Sequence, residues 1–175
     1  MVAAKILCRV ILWSDGMKQT GSENYLVKWW NKLQSFPAGD RLFSFVLGHI
    51  APYSGSISAR VEALLPGHAR VSIKDRRKVR NHLKSIHAIA LINLGEIATG
   101  LAVLSTIPDT MRGILLGLEA EYIKKARGKL TATANFELPS EIDDNLSVKV
   151  TAELIDEAGE VVARVHATWL LGYNK

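Results

Sequence analysis

The sequence predicts an α+β protein in which a curved antiparallel sheet wraps around one long central helix, with extra helices at the N-terminus. Three observations predict it. Between Ala88 and Leu104 the chain has no proline and is apolar on nearly every side, the pattern of a helix buried all round. Two segments before it and four after it alternate apolar with polar residues, the period of strands with one buried face. Residues 22–50 repeat their apolar groups at helical spacing.

Taken in order, the first helix has Ser22 as its candidate cap and Leu26, Trp29, Trp30 and Leu33 on its apolar face. Pro37 and Gly39 break it, Asp40 stands where the next helix would be capped, and PYSG at 52–55 ends the helical part. From Ile57 the period becomes two, which assigns Ile57, Ala59, Val61, Ala63 and Leu65 to one face of a strand. Pro66 and Gly67 turn the chain into a second strand carrying Ala69, Val71 and Ile73. Pro108 and Gly113 close off the central helix. A third strand alternates at Ile114, Leu116, Leu118, Ala120 and Tyr122, and Ala126, Arg127 and Gly128 form a turn. Leu130 to Leu138 and Leu146 to Leu154 alternate cleanly, and Asp156 to Gly159 is a hairpin turn leading to Val161, Ala163, Val165, Ala167 and Trp169.

With 175 residues, 48% hydrophobic and 22% charged, the chain is sized for one domain with a full core. The expected division is an N-terminal segment, 1–21, and a single domain over 22–175, with helices within 23–50 and the sheet and central helix over 56–171. In the N-terminal segment Ile6, Val10 and Trp13 would share one side of an amphipathic helix. The preferred expectation is a short helix packed on the domain or a poorly ordered terminus. Arg9 interrupts the apolar run of a secretory signal, and no run approaches the ~20 residues that span a bilayer. A single cysteine, Cys8, excludes an internal disulfide framework and points to a reducing, cytoplasmic setting. The net charge of +5 suits an anionic partner and a plain basic surface equally. The basic residues are not interleaved with exposed aromatics, which argues against nucleic acid.

Chemistry concentrates in RNHLKSIHAIALINLGEIATG, Arg80 to Gly100, where one carboxylate, Glu96, interrupts the most apolar helix. A carboxylate in such surroundings gains basicity, and a helix start supplies oriented N–H groups. A buried Glu can equally be a structural acid paired with Arg or bonded to backbone. Asn81 and His82 can be turn residues, and Asn93 and Thr99 lie near the Glu96 face. The run Lys74 to Arg80 and the residues Lys124, Lys125 and Arg127 are candidates for phosphate binding, or a solvated strand end. His49, His68 and His166 have no ligand spacing, so no metal is expected.

The strand and helix order, with PYSGSI at 52–57, LLPG at 64–67, RRKVRNHLKSIHA at 76–88, NLGE at 93–96 and YIKKARG at 122–128, resembles the hotdog fold of acyl-CoA thioesterases. The closer likeness is to a thioesterase-like branch of undefined function with two extra N-terminal helices. The resemblance implies hydrolysis of an acyl-CoA or acyl carrier protein thioester, in a homodimer or a dimer of dimers. No cofactor is implied beyond coenzyme A as part of the substrate. Asn81, His87 and Glu96 have the spacings of the phenylacetate-pathway type. The resemblance implies that Asn81 and His87 orient the thioester carbonyl, that Glu96 is general base or nucleophile, and that the Ala88 N–H forms the oxyanion hole. The chain departs from that pattern twice. Ala88 and Ile89 stand where two glycines are usual, and Leu115 where a Ser or Thr often holds water. If both residues lay on regular helix, nine residues at ~100° each would aim His87 and Glu96 to opposite sides. The site would then be shared between two chains.

Two alternatives stay open at this stage. Hydroxyacyl dehydratases of the same fold pair a His with a helix acid fourteen residues later, a spacing that His82 and Glu96 share. A non-catalytic acyl-CoA-binding protein would also fit the two departures.

Overall fold

The structure is a computed structural model that describes residues 24–140 and 145–174. The N-terminal segment with Cys8 and the expected Ser22 cap lie outside the described residues. Helix α1, Tyr25–Gln34, is capped by Asn24, whose Oδ1 accepts from the N–H groups of Leu26 (2.9 Å) and Val27 (3.4 Å). The Asn24 amide also donates to the carbonyls of Leu104 and Ile107, which anchors α1 to the end of the central helix. Helix α2, Gly39–Ile50, starts from Ala38 in a left-handed conformation (φ 60°) with no side-chain cap. Asp40 is therefore not the cap expected of it; it sits in the first turn and forms an ion pair with Arg60. Trp30 and Phe43 meet edge to face at 5.1 Å and join the two helices. A single turn, α3, Pro52–Gly55, follows.

Strands β1 (Arg60–Leu65) and β2 (His68–Ile73) form the first hairpin. The central helix α4 runs over Ala88–Leu104, the span the composition predicts. Strands β3 (Met111–Tyr122), β4 (Leu130–Asn135), β5 (Leu146–Ile155) and β6 (Val161–Tyr173) complete an antiparallel six-stranded sheet in the order β1-β2-β4-β5-β6-β3. α4 packs against every strand of it. Leu94, Ala98, Ala102, Leu130, Ala132, Leu154 and Val165 are fully enclosed at that contact. A Cβ at Gly95 would lie 2.4 Å from the Val165 Cβ, so the helix rests directly on β6.

The expected alternation holds over most of the inner strands, apart from a bulge in the β5–β6 pair that leaves Val162 buried beside Ala163, and fails at both sheet edges. β1 starts at Arg60, not Ile57, and a bulge between Val61 and Ala63 flips the pleat. Val61 and Leu64 are buried as a result, and Leu65 is 58% exposed, not on the inner face. β3 bulges between Leu115 and Gly117. Its apolar set is split: Leu115, Leu118 and Ala120 pack against the core, and Ile114, Leu116 and Tyr122 face outward. Edge strands pair on one side only, which leaves room for an extra residue.

Candidate active site

Glu96 lies on the outer flank of α4, half-buried. Among the described residues no cation pairs with it; its partner is the Ser54 hydroxyl, which donates to Oε2 at 3.4 Å. Burial pushes the carboxyl above the ordinary glutamate range, and the Ser54 hydrogen bond pulls it part of the way back. One helical turn earlier the buried Asn93 amide donates to the Tyr53 carbonyl at 3.3 Å. Through these two bonds α3 lies across the outer face of α4.

Two cavities flank α3. The larger, about 410 Å³, lies between α2, β1 and α4, with Phe45, Leu47, Val61 and Ile97 in its wall and Ser54 at its border with Glu96. The smaller, about 230 Å³, is lined by His87, Ala90 and Asn93 from the start of α4, by Tyr53, and by Lys78 and Arg80.

His87 is the N-cap of α4, with extended backbone (φ −66°, ψ 140°). It therefore precedes the regular helix, and the half-turn count that would aim it away from Glu96 does not apply. Its Nδ1 accepts the Ile89 N–H at 3.1 Å, which leaves the neutral ring's proton on Nε2, as a donor. Ala88 opens the helix, so its N–H has no carbonyl within the helix to receive it.

The remaining predicted residues divide. Asn81 shapes the turn ahead of the helix: its Oδ1 accepts from Leu83 (2.9 Å) and Ser85 (3.2 Å). His82 is exposed on that turn and lines neither cavity. Thr99 is fully buried and donates to the Glu96 backbone carbonyl at 3.0 Å, turned to its own helix and not to the carboxylate. Arg80 is bonded to Asp75, and that contact holds the Asp75 carboxyl below its usual range. Asp75 also receives the Gly128 N–H, which brings the 126–128 turn beside the helix start. Lys124 pairs with Asp156 (2.7 Å) and Glu160 of the β5–β6 hairpin, and Lys125 and Arg127 line neither cavity.

Sequence reasoning missed Tyr53 and Ser54 as contacts of the helix, although PYSG was visible as punctuation. It also missed Trp169. That ring packs over Gly100, where an added Cβ would be 3.2 Å from the indole and 3.9 Å from Glu96 Oε1. Among the described residues nothing accepts the buried Trp169 Nε1–H.

No curated protein matches the sequence. Among solved structures, the genomics target APC5556 is 30% identical and superposes with a TM-score of 0.73 over 86% of this chain and 99% of its own. PA5026 of Pseudomonas aeruginosa, described as a protein of unknown function and probable thioesterase, is 22% identical with a TM-score of 0.64, over 79% of this chain and 97% of its own. A variant of the phenylacetic acid degradation protein PaaI from Thermus thermophilus is 21% identical with a TM-score of 0.57, over 68% and 97%. The last two likenesses establish the fold. The family described as Domain of unknown function (DUF4442) matches residues 39–171. The chain thus belongs to that family, and its fold is the hotdog fold.

Proposed function

We propose that this protein hydrolyses acyl-CoA or acyl carrier protein thioesters, with Glu96 as general base. The observation that carries the reading is a half-buried carboxylate with no cationic partner among the described residues, its pKa raised, bonded to Ser54 of the larger cavity's wall. A raised carboxylate pKa brings the base nearer the working pH. In the reaction a water gives its proton to Glu96 as its oxygen bonds to the carbonyl carbon. The C–S bond then breaks, and the leaving thiolate takes the proton back from Glu96. The oxyanion formed in between would be stabilised by the Ala88 N–H and His87 Nε2–H of a second copy's helix start at a dimer interface, because eight residues at 1.5 Å each set a chain's own helix start about 12 Å from its Glu96. The larger, mainly apolar cavity suits an acyl group, and Lys78 and Arg80 at the smaller one suit the phosphates of the carrier.

A homodimer fits the same reading. The edge strand β3 exposes Ile114, Leu116 and Tyr122, apolar surface that a second copy would cover. The dehydratase alternative needs His82 at the site, and His82 is exposed on the turn ahead of the helix and lines neither cavity. Leu115, without a hydroxyl, favours the non-catalytic alternative, in which acyl-CoA binds without turnover. Hydrolysis of a panel of acyl-CoA thioesters decides. Turnover reduced about a hundredfold or more in Glu96→Gln supports the proposal; turnover unchanged in that variant ends it.

A further inference from the structure

The larger cavity runs along α2. Arg41, Ser44, Phe45, Gly48 and His49 fall at i, i+3, i+4, i+7 and i+8, one face of a helix, and that face lines it. Different contacts fix the two ends of the face. At the far end Arg60 of β1 pairs with Asp40, and the Ser44 hydroxyl accepts the Val61 N–H at 2.9 Å. At the near end Gly55 of α3 lies against Gly48, where an added Cβ would be 2.3 Å from the Gly48 carbonyl oxygen. That contact sets Ser54, the partner of Glu96, level with the end of α2.

The chemistry of the two ends differs. Phe45, Leu47 and Ile97 make the wall between them apolar. Among the described residues the Arg41 guanidinium has no carboxylate partner, and no Asp or Glu lines the cavity. Arg60, the other arginine in the wall, is neutralised by Asp40. His49 stands at the Ser54 end, with its Nδ1–H donated to the Phe45 carbonyl at 2.8 Å. The uncommitted positive charge therefore sits at the far end alone. Seven residues separate Arg41 from Gly48, about 10 Å along the helix axis. An extended chain advances about 3.5 Å for every three bonds, so roughly nine bonds cover that span.

We propose, resting on the thioesterase reading, that the larger cavity selects acyl groups carrying a carboxylate at the end away from the thioester, and that Arg41 is the residue that reads it. With the thioester at the Ser54 end, the acyl chain lies along Phe45, Leu47 and Ile97 and its ω-carboxylate meets the guanidinium. The planar guanidinium fork holds a carboxylate through two parallel N–H···O bonds. A plain alkyl chain of the same length makes the same apolar contacts, offers Arg41 no acceptor and takes water from it. The substrate class is then the thioester of a dicarboxylic acid of medium length.

Arg41 is exposed, so substituting it leaves the core intact. Wild-type kcat/KM for suberoyl-CoA should exceed that for octanoyl-CoA, its length-matched counterpart without the ω-carboxylate, by about tenfold or more, as one charge-assisted contact gives. Arg41→Met should bring that ratio to about one, and Arg41→Glu below one; a ratio cancels any general loss of activity. A wild-type ratio of one or less overturns the inference. So does a ratio that Arg41→Met leaves unchanged, which would give the guanidinium to a group both substrates share, such as the carrier's phosphates. A wild-type chain that hydrolyses neither overturns the functional reading instead, and calorimetric dissociation constants of the same two thioesters then decide. Tighter binding of suberoyl-CoA, lost in Arg41→Met, sustains the inference; equal binding or none overturns it.

Discussion

Ser54 donates its hydroxyl to Glu96 Oε2 across 3.4 Å, from a helical turn forty-two residues earlier in the chain. The contact stabilises the ionised carboxylate and so opposes the effect of burial. Removing it should raise the pKa of Glu96 further. In Ser54→Ala, the acid limb of the kcat/KM profile should move to higher pH than in the wild-type chain. A limb that stays in place would detach Ser54 from the titrating base.

The same raised pKa has a stability consequence of definite sign. Glu96 binds its proton more tightly in the folded chain than in the unfolded one. Its favourable contribution is complete below the ordinary glutamate range, about 4.3, and is lost as pH rises through the raised value. Glu96→Gln should therefore match the wild-type chain in stability at acid pH and exceed it at neutral pH. Urea unfolding at two pH values, one on either side, checks this.

Gly95 should tolerate no side chain. A Cβ there would sit 2.4 Å from Val165 Cβ, inside the fully packed helix–sheet contact. Gly95→Ala should cost about 1–3 kcal/mol through overpacking. Val165→Ala in the same chain should recover part of the loss, a coupling that a double-mutant cycle measures.

The basic rim of the smaller cavity predicts a split by carrier. Lys78→Ala and Arg80→Ala should raise KM for acyl-CoA and leave KM for a short acyl-N-acetylcysteamine thioester, which has no phosphate, unchanged. Equal effects on both substrates would place the phosphates elsewhere.

Asn81 separates turn from chemistry. Asn81→Asp keeps an oxygen for the Leu83 and Ser85 N–H groups and loses the amide donor. If the turn is its whole task, the Asp variant should retain activity and thermal stability, and Asn81→Ala should be destabilised by about 1 kcal/mol, as for lost capping elsewhere. Activity lost in Asn81→Asp with the melting temperature unchanged would assign the amide to the substrate.

Much of this architecture was legible because period and burial coincide in its interior. Ala88–Leu104 is apolar on nearly every side and mostly buried, with Ile89 and Leu104 exposed near its ends; Leu130, Ala132 and Ala134 alternate and are fully buried. The reading failed at Leu65 and Leu116, where edge-strand bulges insert a residue that no periodicity marks. Glu96 stood out as a lone acid in an apolar helix, and His87 at the helix start by its spacing. Tyr53, Ser54 and Trp169 did not, because their relation to Glu96 is long-range: one contact spans the chain from before the sheet, and the other depends on the register of its last strand. Asp40 is the local counterpart, a good cap by composition drawn instead to Arg60 by tertiary structure.

The seating of Gly95 on Val165 also limits how this molecule can diversify. An axle fixed at van der Waals contact with its cradle cannot be re-tilted to admit a different guest without disturbing the whole interior. Away from its own close backbone contacts at Gly39, Gly48 and Gly55, the segment ahead of the sheet is not held in this way, and it supplies one wall of each recess. Descendants of this sequence should therefore acquire new preferences by redrawing residues 39–60 and keeping the spine unaltered.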